Sequence, residues 1–449
     1  MFFRLFLKKD NVALILFVLL LNLSAVNTSF SEENTFLTLE KVEKEGSPIL
    51  SLEAAGKIAL QRDYIIKSYM SISDALQDES VALNTLPDPK LKLGLLNIPT
   101  DTYDFDQENM TQKKIGFIQM FPKGDSLEIK SQRAIINSDR NVIKANERKR
   151  KVLDLTRKAW LEVYYWVNAK KILDENRILF NDLVEITEGQ YAAGKRRQVD
   201  YVQAQIELDL LNDKDYMFSE KTEIARAELA TWVGDENALK SVGSKLTELH
   251  EDIELLKDSE NNKKHIDNKL FQHPMVLLSK NKIKFNKKNV ELAQQDYKPS
   301  WSIDLSYAFR EDKPTGIDRA NFLSAMVLVD IPLFTGNRQD RRVSSKLKKV
   351  SASKNNLDDM LKIMNTKLEK SHKRLVWLKK RIAHYNKTLF PRAEENSQAA
   401  LLAYQSDRSD FLSLIKARII EFNTQLQFLR LNVDHVSTEA TLSYLLGDE

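Results

Sequence analysis

Pro299-Ser-Trp-Ser-Ile-Asp-Leu-Ser-Tyr-Ala-Phe-Arg310 alternates without a break: Trp301, Ile303, Leu305, Tyr307 and Phe309 are apolar, and Ser302, Asp304, Ser306, Ala308 and Arg310 stand between them. Period two is the pattern of a β-strand with one apolar and one polar face. Aromatic ends and a length of about ten residues suit a transmembrane β-strand, but a soluble half-buried sheet alternates in the same way.

The chain carries this kind of segment twice. Pro89 and Pro122 bracket 33 positions, as do Pro299 and Pro332, at an offset of 210. In the first copy Leu91, Leu93 and Leu95 alternate with Lys90, Lys92 and Gly94. The expected strands are therefore 89–97, 113–122, 299–309 and 322–332, with Leu91, Leu93, Leu95, Trp301, Ile303 and Leu305 facing lipid if the sheet lies in a membrane. Further on, Tyr191–Glu236 matches Tyr404–Glu449 without a gap at an offset of 213, and both stretches end in Gly-Asp-Glu. A repeat this long is a duplicated structural unit rather than a solenoid period of about 20–50 residues.

Between the strand pairs the chain reads as helix. No proline occurs from Lys123 to His273 or from Leu333 to Phe390, so nothing breaks the backbone ladder. Two helical hairpins are expected, about 126–233 and 338–446, with Pro391 kinking the second. A helix from Ser126 to about Glu188 would be a rod of roughly 95 Å, too long for a simple membrane span. Its return partner carries Val199, Val202, Ile206, Leu208 and Leu211 as a coiled-coil-like stripe. The fold class is mainly α with a small β part, in two repeats, 30–235 and 273–449, joined by a Lys-, Glu-, Asp- and Asn-rich segment over 236–272.

Arg4, Lys8 and Lys9 precede the apolar run Val12–Val26, and Ser24-Ala-Val-Asn-Thr-Ser29 closes it with small residues, the pattern of a cleaved export signal over residues 1–29. The net charge of +4 decides little. The absence of cysteine excludes disulfides, thiolate metal sites, a cysteine nucleophile and a lipid anchor on an N-terminal cysteine. His250, His265, His273, His372, His384 and His435 show no metal-ligand spacing, and Gly194-Lys195 lacks the upstream glycine of a phosphate loop. No catalytic residue, metal or cofactor is expected. Lys195, Arg196 and Arg197 lack the aromatic platform of a nucleic-acid site.

Four strands are too few to close a membrane barrel, which begins at about eight, and open edges cannot sit in lipid. A membrane reading therefore requires several copies to share one barrel.

From about Ser51 to its end the chain resembles the TolC-like outer-membrane efflux proteins. The likeness is carried by the opening Ser51-Leu-Glu-Ala-Ala-Gly-Lys-Ile-Ala-Leu60 segment, the two proline-bounded strand pairs, and the turns Tyr191-Ala-Ala-Gly194 and Tyr404-Gln-Ser-Asp407. The resemblance implies a homotrimer in the outer membrane of a Gram-negative bacterium. Its twelve-stranded barrel would continue into an α-helical tunnel across the periplasm, as the exit duct of a tripartite efflux pump. Partners would be a periplasmic adaptor and an inner-membrane transporter. Adaptor contacts at the periplasmic tip would fall on Gly194, Lys195 and Arg196 and on Asp407, Arg408 and Ser409. The acidic constriction of the family falls on Ser413 and Lys416, so a basic ring is expected instead, with Asp200 and Gln203 at the matching positions of the first hairpin. Asp200 would pair with Lys416 or Arg408. Leu86–Leu91 and Gln119–Asp125 look most like the heavy-metal branch. A type I secretion channel and a soluble periplasmic coiled-coil scaffold are the alternatives.

Overall fold

The computed structural model describes residues 49–243, 246 and 260–447. The expected export signal, most of the joining segment and His250 lie outside the described residues, as does the side chain of His265.

Helices dominate. Ser51 accepts a hydrogen bond from the Ala54 N–H at 3.1 Å and starts α1 (Leu52–Arg62). Asp63 caps α2 (Tyr64–Leu83) through Ile66 N at 2.8 Å and is held by Arg148 at 2.8 Å. Strands β1 (Lys90–Leu96) and β2 (Gln112–Phe121) lead into α3 (Ser126–Ala192), a rod of 67 residues and about 100 Å. The chain returns along α4 (Gln198–Val233), then forms the short α5 (Asp235–Ala238). After α6 (Glu260–Phe271) the succession recurs: α7 (Pro274–Gln294), β3 (Ser300–Phe309), β4 (Phe322–Asp330), a long helix, and a second 36-residue return helix, α10 (Phe411–Leu446).

That long helix is interrupted. α8 (Gln339–His384) passes through one π-turn, Tyr385–Leu389, into α9 (Phe390–Gln405). Pro391 sits in the first turn of α9, where its missing N–H and its ring are accommodated by the widened turn before it.

The body is one layer, four elements wide. The strands pair antiparallel in the order β1-β2-β3-β4. Beneath them α2, α3, α7 and α8 lie side by side in the same order, and farther from the strands α4, α3, α10 and the α8–α9 rod do so. Packing inside the layer is seam-like: α4 buries Ala204, Leu211, Phe218 and Ala225, one residue every seven. Of the stripe expected there, Leu211 is buried in the seam and Leu208 packs against it, while Val199, Val202 and Ile206 fall on a second stripe. Val199, Val202, Ile206 and Leu210 point away from α3 and stay exposed, because the heptad seam takes the residues between them.

Both return helices end at a left-handed glycine, Gly234 (φ 84°) and Gly447 (φ 80°). That backbone conformation favours glycine, and an added Cβ would also press on the Arg62 guanidinium at 2.9 Å and on that of Arg150 at 2.6 Å. The hairpin turns are a matched pair of Schellman caps. Lys195 N reaches Gln190 O at 2.9 Å and Gly194 N reaches Tyr191 O at 2.8 Å; Arg408 N reaches Ala403 O at 2.8 Å and Asp407 N reaches Tyr404 O at 3.2 Å. The left-handed position is Gly194 (φ 71°) in one and Asp407 (φ 62°) in the other.

His273 caps α7. Its Nδ1 accepts from Met275 N at 3.2 Å while Nε2–H donates to Tyr444 O at 3.1 Å. Burial first, and then the charge of Arg150, lower its pKa to about 4, so the ring is neutral in the folded protein. A depressed histidine contributes stability above its unfolded pKa and loses it as pH falls.

Two expectations follow for these caps. Stability should decline between about pH 6.5 and 4, by up to about 3 kcal/mol, because only the unfolded chain takes up the proton there. Hydrogen exchange at residues 274–280 should accelerate across that window in the parent and not in His273→Gln. Asp407→Val should cost about 1–2 kcal/mol and speed proteolysis at the turn, whereas Asp407→Gly should stay within about 0.5 kcal/mol of the parent. Equal losses in both would mean that the carboxylate, not the backbone, holds this turn.

Candidate functional site

Strand register sorts the sheet into two faces. Leu91, Phe117, Leu305 and Ala325 are cross-strand partners in one row, and Trp301 pairs with Phe121 and Val329 in another. Leu91, Leu93, Leu95, Trp301 and Leu305 are exposed on this face, Ile303 is half-buried there, and Leu323 is 79% exposed. The Phe121 and Trp301 rings stack with centroids 3.9 Å apart at the end of the sheet nearest the helices.

The opposite face carries Lys92, Lys114, Ser302, Asp304, Ser306 and Ser324, with Ile118, Met120, Met326 and Leu328 between them. Asp304, Ser306 and Ala308 are buried although no second layer covers them. Lys92 reaches across β2 to Asp304 at 3.2 Å. Gly116 leaves room for that approach, since a Cβ there would meet Ser306 Cβ at 3.0 Å. The outer edges of β1 and β4 have no strand partner among the described residues.

At the far end of the helices the two turns lie together. Gly194, Lys195, Asp407 and Arg408 are exposed, and Arg196 and Ser409 are half-buried. Arg196 links the hairpins: it pairs with Asp407, donates to Tyr404 O at 3.3 Å, and lies over the Tyr404 ring at 4.8 Å. Tyr404 is buried and donates its hydroxyl to Gln190 at 3.0 Å. That burial raises its pKa. Its repeat mate Tyr191 is 42% exposed and stacks only on Tyr201, at 6.4 Å. Nothing in the sequence separates the two tyrosines; their neighbours do.

The expected partner of Asp200 is corrected. Asp200 pairs with Arg197, three residues earlier on the same turn, at 3.3 Å, not with Lys416 or Arg408. It is buried between the hairpins, and Gln203 donates to Glu207 at 2.9 Å. Ser413 and Lys416 are exposed on α10. Asp410 caps that helix, and its pKa is lowered first by its bonds to Ser413 and least by the charge of Lys416. Among the described residues no three His, Asp or Glu side chains gather as a metal site, and no helix is long and apolar enough to cross a membrane.

No family model and no curated protein matches the chain. Solved structures do. The CmeC outer membrane channel of Campylobacter jejuni aligns with a TM-score of 0.73 at 11% identity, covering 88% of this chain and 85% of that one. The outer membrane protein VceC of Vibrio cholerae gives 0.71 at 15% identity, covering 88% and 96%. The MtrE outer membrane channel of Neisseria gonorrhoeae, in its open state, gives 0.69 at 14%, covering 88% of each. With its four-stranded sheet and its two long hairpins, the chain has the fold of these outer-membrane channels, the fold that its resemblance to the TolC-like proteins predicts.

Proposed function

We propose that the protein is a passive exit duct in the outer membrane: a homotrimer that receives cargo from an inner-membrane transporter through a periplasmic adaptor and catalyses no reaction. The observation that carries this reading is the four-stranded sheet, one face of which exposes an apolar row while the other bears Lys92, Asp304 and Ser306, and whose outer edges have no strand partner among the described residues. In water the exposed row from Leu91 to Val329 would cost about 25 cal/mol for every Å² of apolar surface. Against lipid it costs nothing, provided the edges are closed.

Three copies would supply twelve strands. The helical edges support head-to-tail closure. α8, on one edge, has 14 Lys and Arg against 4 Asp and Glu. α4, on the other, has 3 against 8, and it carries the uncovered stripe Val199, Val202, Ile206 and Leu210. Opposite charge and matching apolar surface are what a heterologous ring contact requires. In that ring the turns at Gly194 and Asp407 form the adaptor-facing tip, and Ser413 and Lys416 line its narrow end. The heavy-metal resemblance of Leu86–Leu91 and Gln119–Asp125 concerns segments in and beside the sheet, and it is the pointer toward metal cations as cargo. A type I secretion channel would share every feature above.

Ile303→Asp and Ser302→Asp put the same charge on neighbouring residues of β3. On the lipid face the aspartate should cost about 2 kcal/mol or more and reduce membrane-inserted oligomer; on the polar face it should be tolerated. Outer-membrane fractionation followed by native electrophoresis checks this. Equal insertion of both variants would favour a soluble scaffold.

A further inference from the structure

The polar face of the sheet runs down into a cleft of about 600 Å³ where strands meet helices. Ser300, on the face of Ser302 and Asp304, lines it, so the cleft lies on the side away from Trp301. Lys123, Lys130 and Arg133 form one wall, Arg342 and Lys346 the other, and Asp296 is the one carboxylate among the lining residues. An adjoining cleft adds Arg338 and Arg341.

The charges are not balanced locally. Asp296 is shared by Lys123 and Arg342, each at 3.3 Å. Among the described residues Lys130, Arg133 and Lys346 make no ion pair, and the buried Nε of Arg133 has no hydrogen-bond partner. Arg133, Arg140 and Lys282 instead crowd the Phe285 ring at 5.1, 5.4 and 5.7 Å. A ring face is a weak substitute for a carboxylate.

Helix geometry shows that this is a sorted surface and not a generally basic helix. Lys130, Arg133, Arg140 and Lys144 recur at spacings that keep one face of α3. Glu128 and Asp139 are three turns apart on the opposite face.

We propose that this cleft binds anionic groups, phosphate or carboxylate, and that three copies of it around a shared lumen make the duct prefer anionic cargo to cations. The lumen part rests on the exit-duct reading; the binding site does not. Convergent cations beside low-dielectric walls concentrate counter-ions, and several guanidinium groups offer the paired donors that phosphate and carboxylate oxygens accept. The arrangement runs against a metal-cation cargo.

The test uses the detergent-extracted full chain at low ionic strength, where screening is weakest. Isothermal titration with inorganic tripolyphosphate should show saturable binding, weakened at least about tenfold in the variant Lys130→Glu/Lys346→Glu, which changes one exposed and one half-buried lysine. Absence of binding, or an unchanged affinity in the variant, would overturn the site. Displacement of tripolyphosphate by phosphatidylglycerol micelles but not by soluble phosphate monoesters would make a lipid headgroup the ligand and overturn the cargo assignment. In planar bilayers under a potassium chloride gradient, the reversal potential should report chloride preferred to potassium, and the variant should shift it toward potassium. A potassium-preferring parent overturns the selectivity. Tripolyphosphate binding by a protein that forms no pore would instead contradict the exit-duct reading and leave the anion site standing.

Discussion

The backbone groups along the outer edges of β1 and β4 constrain everything else. Each edge carries N–H and C=O groups without a strand partner among the described residues, and such groups are costly wherever water is excluded. A soluble protein would cover the edges or charge them. Here the exposed face between them is apolar, which is the ground for proposing that further copies add edge to edge. Gly116 lets Ser306 and Asp304 approach β2 closely on the other face.

The helices obey the same geometry because they are laid down in register with the strands. α3 is the spine: α2 and α4 pack on one side of it and α7 and α10 on the other. Its 67 residues carry no proline and no interior glycine until Gly189, which lets one rod support both the strand end and the turn end. The second rod is different. The π-turn before Pro391 introduces a local change of pitch that the first lacks. The near-identical backbone turns are likewise dressed differently, with Arg196 locking the Tyr404 side and nothing comparable over Tyr191.

Much of this was legible beforehand because it rests on periods. The alternation from Trp301 to Phe309 announces a strand of definite face, and the proline-free stretches announce long helices. The turns at Tyr191–Gly194 and Tyr404–Asp407 are legible as a matched pair through the offset of 213. Features assembled from distant segments were not legible. The partner of Asp200 depended on which way Arg197 turned. The basic cleft joins residues near 123–133, Asp296 and Arg342, which nothing in the one-dimensional order brings together. α7 was also unreadable, since its lysines and asparagines hide a narrow buried stripe through Val276, Asn281, Asn286 and Val290. Buried Asn286 donates to Ser353, at 2.6 Å on α8, and accepts from Asn289 at 3.3 Å.

The central claim is closure by copies of the same chain. Single-particle electron microscopy of the detergent-extracted protein tests it most directly. The account predicts a long hollow particle with three-fold symmetry, in which β4 of each copy pairs with β1 of the next. A monodisperse monomer that keeps its sheet edges open to solvent would contradict it.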